Sequence, residues 1–158
     1  MKKRKVKGEL WQALIRVTMI SIIIAVVAFF FVEQKKYIGL ILLALGLLPL
    51  VSLKIAGHSI KATISEIVFG AVNTGLLILL AIGGFEIAGI LGAVVGVAIG
   101  DAITEGYAGI LEGEVIDLLK KKKIREEISP LHASLGKMAG CLIGSGIVLI
   151  IAWLLLGL

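Results

Sequence analysis

The stretch from Ile64 to Ile110 reads ISEIVFGAVNTGLLILLAIGGFEIAGILGAVVGVAIGDAITEGYAGI, and its only charged residues are Glu66, Glu86, Asp101 and Glu105. A helix that crosses a bilayer needs about 20 apolar residues. The run is more than twice that, and it divides into two spans at about 64–85 and 86–110. A tight turn near Gly83-Gly84 joins them. If the two spans pack antiparallel about that turn, facing residue numbers sum to about 169, which sets Glu66 opposite position 103, between Asp101 and Glu105. Those two acids are one helical turn apart and share a face. Asn73 then faces Gly96, where a missing side chain leaves room.

Three more segments flank this hairpin, at about 10–32, 37–53 and 136–158. The expected fold is an all-α integral membrane protein with five transmembrane helices. Composition agrees: the chain is 59% hydrophobic with a mean hydropathy of +1.10. A soluble domain is nearer half apolar and has no core large enough to hide the excess. The N-terminal Lys2-Lys3-Arg4-Lys5 before an apolar run imitates a signal peptide. The run ends in Glu33-Gln34-Lys35-Lys36 rather than a small-residue cleavage site, so it reads as a retained span.

Charge sets the expected orientation. With the N-terminus in the cytoplasm, all of the 16 Lys and Arg residues except Lys35 and Lys36 fall on the cytoplasmic side, as the positive-inside rule requires. The C-terminus then lies outside, in a cell membrane. Between the fourth and fifth spans, Glu114 to Ile128 reads as a cytoplasmic amphipathic helix with i,i+4 charge pairs such as Asp117/Lys121. Ser129-Pro130 ends it. Its Lys120–Lys123 run is placed to meet anionic lipid headgroups.

Two glycine series repeat every four residues: Gly92, Gly96 and Gly100, then Gly136, Gly140 and Gly144. Small residues let helices in lipid approach backbone to backbone, so both series are expected at helix–helix contacts, within a protomer or across a homodimer. Five short helices make a thin bundle, which favours the dimer.

The candidate chemistry is carboxylate chemistry. Acids crowded in low dielectric cannot all stay ionised without a proton or a cation. Asp101, Glu105 and Glu66, with Asn73 supplying a neutral oxygen, form a candidate site for a divalent cation such as Mg²⁺, Mn²⁺ or Fe²⁺. A transporter or channel, proton-coupled through these acids, is the first expectation. The alternative is a non-transporting membrane scaffold or lipid-interacting protein whose acids lie at the interface. No nucleophile, cofactor or metal-spaced histidine motif points to an enzyme. No basic surface interleaved with aromatics points to nucleic acid. Cys141 is the single cysteine, so no internal disulfide forms.

The segments Ile67-Val68-Phe69-Gly70-Ala71-Val72-Asn73-Thr74-Gly75-Leu76 and Gly100-Asp101-Ala102-Ile103-Thr104-Glu105-Gly106-Tyr107 resemble the first two spans of vacuolar iron transporter-like proteins. The resemblance covers residues 64–127. It implies a five-span dimer that exchanges Fe²⁺ or Mn²⁺ for protons. The family's first-span aspartate is Asn73 here, and its acid before the tyrosine is displaced by one position. Two spans precede the similar region here, whereas in the family that region starts the bundle.

Overall fold

The computed structural model describes residues 2–33, 37–57, 60–122 and 130–157, and every regular element among them is helical. Helix α1 is Lys2–Phe31, α2 is Ile38–Ile55, a 3₁₀ turn covers Ile60–Thr63, α3 is Ile64–Lys122 and α4 is Pro130–Leu156. Four of these helices contain segments long and apolar enough to cross a membrane. Pro130 opens α4, where its fixed φ suits a helix and its missing N–H removes one of the unpaired donors. Helix α4 therefore starts six residues before the expected span. The expected cytoplasmic helix Glu114–Ile128 is not separate either: α3 continues unbroken into it as far as Lys122, and 123–128 lie outside the described residues.

The long α3 does not run straight. Ala88 (φ −141°, ψ 23°) and Gly89 (φ 60°, ψ −140°) leave the helical region. Gly89 takes a conformation that a Cβ atom disfavours strongly. The break divides α3 into a first arm, residues 64–87, and a second arm, residues 90–122. The second arm folds back on the first. A Cβ added to Gly92 or Gly84 would collide with the other's backbone, one added to Gly96 would meet the Leu80 carbonyl, and one added to Gly100 would lie 3.1 Å from Leu80 Cδ1. The turn is thus at Ala88-Gly89 and not at Gly83-Gly84. Gly83 has nothing within 4 Å of an added Cβ, and Gly84 is a packing position inside the arm. A Gly-Gly pair reads as a breaker, but in an apolar run both residues can remain helical.

Helix α4 is the centre of the assembly. An added Cβ at Gly140 would strike the Ile67 backbone, at Gly144 the Ala71 backbone, and at Gly136 it would sit 2.8 Å from Glu66 Cβ. The pairs 67/140 and 71/144 keep a constant offset, so α4 runs parallel to the first arm. Gly146 lies against the Gly39 carbonyl (2.6 Å from an added Cβ), while Gly46 meets Ile143 (2.9 Å). Here one number rises as the other falls, so α2 is antiparallel to α4. Leu53 and Leu135 close this interface and are fully buried, as is Pro49 in α2. Helix α1 rests on α2 and α4 through a stripe of Ala13, Val17, Ile20 and Ile24, whose spacing keeps them on one side.

These contacts rank the glycines. Gly140→Leu should destabilise the fold by about 3 kcal/mol or more, since its neighbour is backbone and cannot yield. Gly89→Ala should cost about 1–3 kcal/mol in backbone strain. Gly83→Ala should be neutral or gain up to about 1 kcal/mol from helix propensity. Thermal unfolding in detergent, followed by far-ultraviolet circular dichroism, reads all three.

Candidate functional site

The observed register moves the expected ligands. With 84 against 92, 80 against 96 and 77 against 100, facing numbers in the hairpin sum to about 176. Glu66 is therefore level with position 110 rather than 103, a displacement of about 10 Å along the axis. Its direction differs as well. Glu66 is in the first turn of α3 and its Cβ abuts Gly136 of α4. Asp101 and Glu105 are exposed on the second arm. The side of that arm turned to the first arm is occupied instead by Gly92, Gly96, Gly100 and Thr104, the last only 7% exposed. The three acids thus do not converge. Among the described residues, no group of three or more His, Cys, Asp and Glu side chains is arranged to hold a metal ion.

The fourth candidate is inside. Asn73 continues the stripe formed by Leu77, Leu80 and Gly84, at i+4, i+7 and i+11, so it lies on the hairpin's inner face. The register sets it level with Thr104 on the opposing stripe. The Asn73 Oδ1 atom is buried and has no hydrogen-bond partner among the described residues. The Thr104 hydroxyl donates within its own helix, to the carbonyls of Gly100 (2.9 Å) and Asp101 (3.1 Å), the back-bonding usual for a helical threonine. Ser145 is buried at a similar level of α4 and donates to the Cys141 carbonyl at 2.6 Å. The polar interior is thus composed of neutral groups.

At the end of the bundle where α3 and α4 begin, Lys137 Nζ lies 5.1 Å from the centroid of the Phe69 ring. This is a cation–π geometry. Glu66 and Lys137 form no ion pair among the described residues. The side chains of Lys120–Lys122 and the whole of Lys123, expected to meet anionic headgroups, lie outside the described residues.

No family model, curated protein or solved structure matches this chain. Thr104 was not singled out from the sequence, although it extends the Gly92-Gly96-Gly100 spacing by one more step of four. That step signals a residue facing the same helix as the glycines.

Asn73 supplies a direct check. An unpaired buried acceptor carries its desolvation penalty without compensation, about 1–3 kcal/mol. Asn73→Leu, similar in shape, should be neutral or stabilising by that order in thermal unfolding. A clear loss of stability would show that the amide is engaged with a partner.

Proposed function

We propose that the chain is a five-pass membrane protein that acts as a structural scaffold, built to assemble in the bilayer rather than to pass ions through a single protomer. The observation that carries this reading is the placement of Asp101 and Glu105 on the outer side of the hairpin, while the inside holds glycines, apolar residues and neutral hydroxyl and amide groups.

The five-pass arrangement rests on helix directions and lengths. The first arm of α3 is about 36 Å long and the second arm, counted to Tyr107, about 27 Å. Each matches the hydrocarbon core of roughly 30 Å. Helix α4 parallel to the first arm, with α2 and the second arm antiparallel to both, is the alternation that five successive crossings demand. Charge adds the orientation, N-terminus in the cytoplasm and C-terminus outside. The glycine contacts are the packing device that lipid favours, since apolar side chains gain little by leaving one apolar medium for another.

A second reading is favoured by one observation, the unpartnered Oδ1 of Asn73 inside the hairpin. A neutral oxygen there is what a dehydrated cation would use, and the resemblance to vacuolar iron transporter-like proteins points the same way. In that reading Asp101, Glu105 and Glu66 attract a divalent cation to the mouth rather than enclosing it.

Two measurements test these readings. In a Cys141→Ala background, single cysteines at Ile87 and Gly57 are probed with a membrane-impermeant maleimide. Ile87, 88% exposed beside the turn, should react in intact cells. Gly57, between α2 and the 3₁₀ turn, should react only after permeabilisation. The reverse pattern overturns the orientation. Proteoliposomes loaded with an indicator for Fe²⁺, Mn²⁺ or Mg²⁺ should show no uptake with or without a pH gradient. Gradient-dependent uptake that disappears in Asp101→Asn would replace the scaffold reading with the cation path.

A further inference from the structure

The two helical segments at the margins of the molecule carry opposite charges at the same depth. Helix α1 packs on α2 and α4, and among the described residues it does not touch α3. Among the described residues, the atoms nearest to an added Cβ at Gly92, Gly96 or Gly100 belong to the first arm or to the turn. Arg16 on α1, and Asp101 and Glu105 on the second arm, form no ion pair among the described residues.

Their depths follow from the exposed aromatic residue near each. Trp11 lies near the start of the apolar run of α1, and Tyr107 lies four residues before the end of the apolar run of the second arm, which continues through Leu111. They are 65% and 67% exposed, and in the five-pass reading, on which this inference rests, both lie at the cytoplasmic interface, where such side chains gather. Arg16 is five residues deeper than Trp11, about 8 Å; Asp101 is six residues deeper than Tyr107, about 9 Å, and Glu105 is about 3 Å deep. Helix α1 leaves that surface as the second arm approaches it, so the two are antiparallel. Arg16 is level with the stretch between Asp101 and Glu105.

The outer face of the second arm is also shaped for a neighbour. Ala98, Ala102 and Gly106 recur every four residues, all exposed, and an added Cβ at Gly106 would meet nothing within 4 Å. Asp101 and Glu105 flank this stripe. An intramembrane carboxylate turned to lipid is unfavourable, and the short Asp101 side chain cannot reach the interface from its depth. Two copies joined by the same face would bring four carboxylates together, which like-charge repulsion opposes. The charge that complements the face is on α1. Arg16 sits half-buried on the border of the α1 packing stripe, beside the exposed Gln12, so its guanidinium can reach outward from the bundle.

We propose that α1 of a second copy lies antiparallel along Ala98, Ala102 and Gly106 of the second arm, with the partner's Arg16 held by Asp101 and Glu105. The small residues admit the helix, the planar guanidinium bridges two carboxylates one turn apart, and all three charges are removed from lipid together.

The test uses the full chain in lipid. Two differently tagged copies are co-expressed in a Cys141→Ala background, one with Gln12→Cys and the other with Gly106→Cys, and a disulfide is formed by mild oxidation. A heterodimer joined 12 to 106 is expected. Arg16→Gln in the first copy should lower its yield by about tenfold or more, and so should Asp101→Asn with Glu105→Gln in the second. Particles of the wild-type chain in nanodiscs should have the mass of two or more copies, a result independent of any variant's folding. Monomeric wild-type particles, a 12-to-106 yield unchanged by Arg16→Gln, or a Gly106→Cys copy that joins chiefly to its own kind would each overturn the proposal. The maleimide pattern at Ile87 and Gly57 separates the cases. If it is as expected and the disulfide does not form, the pairing fails while the five-pass reading stands; if it is reversed, the depth argument itself fails.

Discussion

Among the described residues, backbone approaches backbone across three pairs of helical segments, and the rest of the geometry follows from how close those approaches are. Gly140 and Gly144 of α4 lie on the main chain of Ile67 and Ala71, Gly39 of α2 faces Gly146 of α4, and Gly84 faces Gly92 across the hairpin. At each of these points a single added carbon would meet atoms that cannot rotate away. Such contacts specify register more sharply than leucine-on-leucine packing does, because a slide of one residue would bring a side chain where none fits. In lipid, where burial of apolar surface between helices is nearly neutral, close van der Waals approach of this kind is the main attraction available.

The register set by those contacts decides where the polar residues go. It presents Asn73 and Thr104 to the interior and turns Asp101 and Glu105 out of it. Glu66 follows α4, because the Gly136 contact holds its Cβ on that side. The acids share a sequence neighbourhood and a charge, yet three helical faces separate their roles. Glu66 is a first-turn acid, favoured by the helix dipole. Asp101 and Glu105 belong to the surface between copies in the assembly proposed above, which also gives a place to Arg16.

Much of the fold was legible in the sequence. Apolar runs of about span length gave the helices. The candidate site was less legible, and the cause is local. Gly83-Gly84 reads as the stronger turn signal, while the break occurs at the single Gly89, whose positive φ no pattern of neighbours announces. The centre of the facing pairs moved from about 84.5 to about 88, and because an antiparallel register shifts by twice the displacement of its centre, facing positions moved by about seven. That shift alone removes Glu66 from Asp101 and brings Thr104 to Asn73. The direction in which Asp101 points was legible in principle, since 101 and 105 fall between the steps of the 92-96-100-104 stripe, but only once that stripe is known to face the first arm rather than a second copy.

The fold-back of α3 at Ala88-Gly89 is the claim on which register, depth and orientation all depend, and a distance measures it directly. Spin labels at Val68→Cys and Tyr107→Cys, both exposed positions, in a Cys141→Ala chain reconstituted in nanodiscs can be separated by pulsed electron–electron resonance. A folded hairpin sets these residues level with each other and predicts a single narrow distribution of about 10–25 Å, from helix packing distance plus label length. A continuous helix would hold them about 58 Å apart, and a distribution centred there would contradict the account.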